Sequence, residues 1–295
     1  MARQVFEAIA DGILGGGVYA LMAAGLTLIF GVLDIINIAQ GILVVFGAYL
    51  SYLLSVHLHI DLFVGLLATV PAMFVLGVAI QWLFIRPLRG SERTSMTLLA
   101  CYAVALIIEG ILYWAFGPNY VALNAWYTAP NASVKVLGFY IGDIYLFGFV
   151  LAVLAIAGLY LLLYRTKFGR SVRATMQDAT AARLVGIEVN RVAALTFGVG
   201  VAITAVGGMM FGATSGAFSP NSGYDLISRL LAIIILGGLG SVGGALVAAI
   251  FMTTAEALVD IWQPNWAVAV FYLALVLVLV IRPSGLFGRQ AVRAQ

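Results

Sequence analysis

Three polar side chains set between two long apolar runs carry the most informative chemistry in this 295-residue chain. Asp34, Asn37 and Gln40 lie inside Gly31-Val32-Leu33-Asp34-Ile35-Ile36-Asn37-Ile38-Ala39-Gln40-Gly41, a stretch with no basic residue. Their spacing of three lets them share one helical face. An aspartate within a bilayer costs about 2.5–3.5 kcal/mol on insertion scales, and such groups face a cavity or a partner. Irregular backbone at membrane depth is tolerated only where it lines a cavity or is buried in protein. The stretch is therefore either an unwound element beside a path through the membrane, or a short cytoplasmic turn with Asp34 in water. Glu109 stands inside a further apolar run, Leu98 to Phe116. It suits either a proton site of a secondary transporter or a structural group hydrogen-bonded to a neighbouring helix.

A second constellation is basic. Arg165, Lys167, Arg170, Arg173, Arg183 and Arg191 interrupt two apolar runs. Ser171 to Val185 reads as a helix, with Ser171 as N-cap and Gly186 as a C-terminal stop before apolar Ile187. Val172, Met176, Ala179 and Ala182 fall along one stripe; Arg173, Gln177 and Thr180 fall along another. The alanines at 174, 179, 181 and 182 permit close approach of a partner surface. The competing reading is a solvated linker or a helix lying on anionic lipid.

A third feature is Gly237-Gly238-Leu239-Gly240-Ser241-Val242-Gly243-Gly244, which suits a hinge or a re-entrant turn. Gly237, Gly238, Gly240 and Gly243 are its expected pivots. The motif lacks the lysine of a nucleotide-binding P-loop, and Lys135 and Lys167 are the chain's only lysines. No nucleophile stands in a pattern with a base. His57 and His59, beside Asp61, belong to a short loop rather than a metal site. Cys101 is the single cysteine, which excludes a disulfide framework. Enzymatic chemistry, a cofactor and a bound metal are not expected.

The elements that place these groups follow from composition. Hydrophobic residues make up 63% and charged residues 9%, against about a quarter charged in soluble domains. Runs of roughly 20 apolar residues cross a bilayer. They fall near 8–31, 38–56, 62–85, 95–116, 142–164, 192–213 and 265–282, with two further segments in 227–260 hinged at the glycines. The shorter of these, 227–239, reads as a half-helix. The expected fold is all-α: one polytopic membrane domain over 1–295 with eight or nine membrane segments, some of them broken or half-helices, and one cytoplasmic helix. Twelve of the 15 Lys and Arg residues lie in 86–93, 165–191 and after 281. Such charges collect on the cytoplasmic side. That puts the C-terminus inside and the N-terminus outside, with 117–141 as the longest external loop. Thr128-Ala129-Pro130-Asn131 marks a turn in that loop.

Taken together, these motifs resemble the permease family of bacterial branched-chain amino acid importers of the ATP-binding cassette (ABC) class, and its LivH-like half in particular. The resemblance runs through Gly16-Gly17-Val18-Tyr19-Ala20-Leu21, Gly25-Leu26-Thr27-Leu28-Ile29-Phe30-Gly31-Val32-Leu33, Ile36-Asn37-Ile38-Ala39-Gln40-Gly41 and Gly47-Ala48-Tyr49. It continues through Gly169-Arg170-Ser171-Val172-Arg173-Ala174, Ala181-Ala182-Arg183-Leu184-Val185-Gly186-Ile187 and the glycine motif at 237–245. The resemblance implies a second related permease subunit, two cytoplasmic ATPase subunits and an external solute-binding protein. ATP hydrolysis then belongs to other chains. It implies that Ser171–Val185 is a coupling helix seated on an ATPase through Arg173, Ala174, Asp178, Ala182 and Gly186. It also places the 31–41 break, with Gly31, Asp34, Asn37, Gln40 and Gly41, beside the translocation path in a bacterial inner membrane; Glu109 is a further candidate for that path on its own chemistry. The family often carries Asn-Phe-Ala-His-Gly where this chain has Asn37-Ile38-Ala39-Gln40-Gly41. Related importers move urea and short amides, which is one alternative. A proton-coupled secondary transporter acting through Glu109 is another.

Overall fold

The computed structural model describes residues 2–88, 93–128, 133–136, 139–282 and 285–287. Eleven α-helices are assigned among them: α1 (Ala2–Leu33), α2 (Gln40–Leu58), α3 (Leu62–Ile80), α4 (Arg93–Phe116), α5 (Asp143–Arg165), α6 (Lys167–Gln177), α7 (Ala179–Leu184), α8 (Val189–Thr214), α9 (Ser222–Gly237), α10 (Val242–Trp262) and α11 (Pro264–Ile281). Eight of these are long and apolar enough to cross a membrane, the third including a π-helical turn at Gln81–Ile85. The ninth membrane segment is α9. Its 16 residues span only about 24 Å, short of the roughly 30 Å hydrocarbon layer. The half-helix expected at 227–239 is thus present, shifted toward the N-terminus.

Helix α8 is the central post, and small residues let its neighbours approach. A methyl on Gly200 would stand 2.9 Å from the Gly25 carbonyl oxygen of α1, and one on Gly198 3.0 Å from the Phe74 carbonyl of α3. Gly208 faces the Val44 carbonyl of α2. Helices α1 and α10 run antiparallel along a similar seam. There a methyl on Gly12 would lie 2.5 Å from Thr254 Cα, and one on Gly16 2.7 Å from Ile250 Cα. The Thr253 hydroxyl donates to the Gly12 carbonyl across this seam at 2.7 Å. Lipid offers no hydrophobic drive between helices, so such close backbone packing supplies the cohesion. Helices α5 and α11 instead show most of their apolar surface outward.

Connections fall into two sets at opposite ends of the bundle. At one end, Val121 and Phe218 exchange backbone hydrogen bonds of 2.9 Å, and Tyr127 donates to Asp61 at 3.0 Å. This end also carries a two-stranded hairpin, β1 (Ser133–Val136) with β2 (Phe139–Gly142). The apolar-run reading did not foresee those strands; residues 129–131 of the expected turn lie outside the described residues. At the other end, Val242 packs into a cluster with Val172 and Val192. The Leu286 and Phe287 N–H groups donate to the carbonyls of Leu236 and Gly237. Arg86, Arg183 and Arg191 line one open cleft of about 500 Å³. The three basic stretches therefore share one face, the basic face, opposite the hairpin face. Arg89, Arg289 and Arg293 lie outside the described residues. Because α1 is antiparallel to α10, the start of α1 lies at the hairpin face.

Candidate functional site

Helix α1 stops at Leu33, and Asp34 takes a left-handed backbone with φ of 54°. Its N–H donates to the Phe30 carbonyl at 2.8 Å, and its side chain is exposed. Residues 34–39 are not helical, and α2 begins at Gln40. The shared helical face expected for Asp34, Asn37 and Gln40 is therefore not formed. With no helix at 34–39, Asp34 points away into the open while Asn37 and Gln40 turn inward. Both amides are fully buried. Asn37 Nδ2 donates to Gln40 Oε1 at 3.3 Å, Gln40 Nε2 donates to Thr204 Oγ1 at 2.5 Å, and Thr204 Oγ1 donates to the Gly200 carbonyl at 2.8 Å. Asn37 Oδ1 is left without a partner among the described residues.

This relay lies deep in the bundle. Thr204 stands 15 residues into α8, about 22 Å from its start. Gly41 abuts the Gly223 carbonyl and Ile227 near the start of α9. The chain thus leaves α1, unwinds, and re-enters the interior before α2 starts. A polar chain of this kind inside a low-dielectric bundle is stable only because nearly every member is bonded.

Glu109 stands on the hairpin-side half of α4. Its Oε2 accepts from the Tyr224 hydroxyl of α9 at 2.6 Å. Both border a cavity of about 70 Å³ walled by Ile38, Ile42 and Ile227. Four elements therefore bring the 31–41 break and Glu109 together, a juxtaposition that spacing along the chain does not reveal.

The basic segment is two helices rather than one. Thr166, not Ser171, caps α6. Its Oγ1 accepts from the Gly169 N–H at 3.0 Å and donates back to the Leu162 carbonyl at 2.5 Å, tying α6 to the end of α5. Ser171 is inside the helix and donates to the Lys167 carbonyl. Asp178 breaks the run and caps α7 through the N–H groups of Thr180 and Ala181, at 2.7 and 3.0 Å. Gly186, at φ of 82°, closes α7 as expected: its N–H donates to Arg183 and that of Ile187 to Ala182, the paired bonds of a Schellman end. Two expected contact residues face inward instead. Ala182 is only 3% exposed. The Arg173 guanidinium bonds the Leu163 carbonyl and lies 4.8 Å over the Tyr164 ring. Outward stand Leu184 at 85% and Val185 at 76% exposure, with Asp178 and Gly186 also exposed and Ala174 half-buried. The Met176 methyl of α6 packs over Gly31 at the end of α1.

The glycine motif forms a turn in which Gly238 and Gly240 hold φ of 96° and 81°. Gly237 and Gly244 meet backbone to backbone, and the Ser241 hydroxyl accepts from the Gly244 N–H at 3.1 Å. Gly243 faces open space, so Gly244 takes the packing place expected of it.

One pair was missed. Arg229 of α9 meets Glu256 of α10 at 2.8 Å, with side chains 20% and 19% exposed. Arg229 also lies 5.5 Å from the Phe271 ring. A basic residue thus also stands inside a helix of the bundle, paired with an acid of the next helix. The signal was available: outside the three basic stretches only Arg3, Lys135 and Arg229 remain, and Arg229 alone of these falls in an apolar run. At the hairpin face, burial pushes the Tyr127 phenol above its ordinary value, reinforced by its hydrogen bond to Asp61.

A polytopic helical bundle with an unwound, amide-lined segment at bilayer depth and a polar helical outgrowth on its basic face defines a membrane transport subunit. The chain belongs to the family described as branched-chain amino acid transport system / permease component, whose model matches residues 8–279. It is 27% identical to the high-affinity branched-chain amino acid transport system permease protein BraD of Pseudomonas aeruginosa, over 97% of this chain and 96% of that protein. It is 28% identical to the permease protein LivH of Escherichia coli K12, over 96% and 95%. It is also 25% identical to the permease protein LivM of the same organism, over 91% of this chain and 67% of LivM. No solved structure matches the chain.

Proposed function

We propose that the chain forms half of the translocation path of an ABC importer for branched-chain amino acids, in a bacterial inner membrane. The observation that carries this reading is the buried Asn37–Gln40–Thr204 relay at the point where the chain unwinds in the bundle. Amides of modest polarity suit a small zwitterion better than a bare ion, which would need a strongly charged path. In this reading the second half is a related permease of the LivM kind, an external binding protein delivers substrate, and two ATPases sit on the basic face. The basic face is cytoplasmic because it gathers the arginines.

Leu184 and Val185 seat on an ATPase. Movement of α6 passes through Met176 to Gly31, and from there to the unwound residues 34–39 and Gln40. ATP binding thereby shifts the amide relay against α8 and switches the side to which the path opens. The turn at Gly238 and Gly240 provides a second place where segments rotate.

The test is reconstitution of the purified complex in liposomes with binding protein and labelled leucine. ATP-dependent uptake is expected. Uptake driven by a pH gradient with the ATPases absent would overturn this reading in favour of proton coupling through Glu109. Thr180→Cys in intact cells should resist an impermeant thiol reagent; rapid labelling would refute the orientation.

A further inference from the structure

Glu109 and Glu256, two of the carboxylates on the membrane-spanning helices, stand in opposite states. Glu256 is neutralised by Arg229 at 2.8 Å. Glu109 has no cation within ion-pair distance among the described residues; its bonded neighbour is the Tyr224 hydroxyl. A carboxylate offers about four acceptor positions, and Tyr224 uses one. An unneutralised carboxylate at this depth is costly unless a partner or water meets it. The open space beside it measures about 70 Å³, roughly enough for a few waters or one small polar headgroup. The rest of the lining is Tyr102 and Ala105 of α4, Gly223, and three aliphatic side chains: Ile38 and Ile42 from the break and the start of α2, and Ile227 from α9.

We propose that Glu109, held in place by Tyr224, is the ammonium-recognition site of the path. It binds the protonated amine of the passing amino acid while Ile38, Ile42 and Ile227 contact its aliphatic part. This rests on the reading that the chain conducts amino acids, and it names the residue that senses their common charged end. Geometry favours a cation: the cavity offers a free acceptor, and its walls contribute no positive charge. Ile38 and Ile42 flank Gln40, so occupancy of the cavity bears directly on the segment that links to α8. Glu109 is thus a specificity residue, and Tyr224 a positioning residue that aims it.

The test separates site from system. In the assembled transporter, with Cys101→Ala and Ala105→Cys on the cavity wall, two thiol reagents are compared: a cationic ethylammonium methanethiosulfonate and an anionic sulfonatoethyl methanethiosulfonate. The cationic reagent should be favoured, and adding Glu109→Gln should lower that preference about tenfold. Glu109→Asp, which keeps the charge, should retain most of it. Saturating leucine should slow the cationic reaction. An unchanged preference in Glu109→Gln, or no reaction with either reagent, overturns the assignment. ATP-driven uptake by the unmutated complex is read separately, so failure of the ammonium site and failure of the importer reading are distinguishable.

Discussion

Replacing Leu184 and Val185 with alanine should weaken ATPase docking strongly while leaving the permease fold intact. Leu184→Ala removes three carbons and Val185→Ala two, each worth about 0.8 kcal/mol when buried. In the free subunit 85% and 76% of these residues is exposed, so nearly all of that transfer is still available to a partner. Scaling by exposure gives about 2 kcal/mol for Leu184 and about 1.2 kcal/mol for Val185 if the partner covers both completely. Together these correspond to a roughly 200-fold loss of affinity. The assay is titration of detergent-solubilised permease complex with purified ATPase, read by fluorescence anisotropy, alongside thermal unfolding of the permease. Affinity should fall by one to two orders of magnitude or more, with the unfolding midpoint unmoved. Equal affinity would refute seating through this tip; a lowered midpoint would refute the claim that these side chains contribute nothing to the fold. Ala182→Glu supplies the contrast. Ala182 is buried inside the chain, so a carboxylate there should lower the unfolding midpoint before it says anything about docking.

Arg229→Met should destabilise the bundle by about 3–5 kcal/mol, because Glu256 is left charged and unpaired; Arg229→Met with Glu256→Leu should recover most of that in denaturation measurements, and no recovery would contradict the pairing argument. Gln40→Leu takes away the acceptor of Asn37 Nδ2, at a cost of about 1–3 kcal/mol. It should depress uptake with ATPase binding unaltered, so normal uptake would sever the relay from transport. At the hairpin face, Tyr127 is held protonated above its ordinary value of 10. Above pH 10 the unfolded chain releases this proton and the folded chain keeps it, so stability should fall as pH rises past 10. Tyr127→Phe should make that fall shallower, and identical alkaline unfolding profiles would rule out the contribution.

Membrane segments could be located from the sequence because run length against a fixed bilayer thickness is a one-dimensional property. The spans at 62–85 and 95–116 match α3 with its π turn and α4 closely. The helix caps were harder. Ser171 is by type at least as good an N-cap as Thr166, and the choice is made by the Leu162 carbonyl at the end of α5, to which Thr166 also bonds. Asp178, a strong N-cap residue with open N–H groups at Thr180 and Ala181, signalled the break between α6 and α7 and was read through. The regular spacing of Asp34, Asn37 and Gln40 misled because it presupposes a helix, whereas the left-handed turn at Asp34 sends alternate side chains opposite ways. Glu109 and Tyr224 meet across 115 residues, and Arg229 and Glu256 across 27. Such partners depend on which helices become neighbours, which glycine-lined crossings on α8 decide and periodicity does not record.

The α1–α10 seam joins residues separated by 241 positions, Gly12 and Thr253. A ribosome adding about 5–20 residues per second needs roughly 12–50 s to cover that distance. Throughout that interval the notched side of the first helix has no mate, and something must shield it: lipid, the insertion machinery, or a transient neighbour such as α8. Biogenesis of this subunit is therefore timed by its penultimate helix, and a nascent chain arrested before residue 242 should remain a substrate for membrane quality-control proteases.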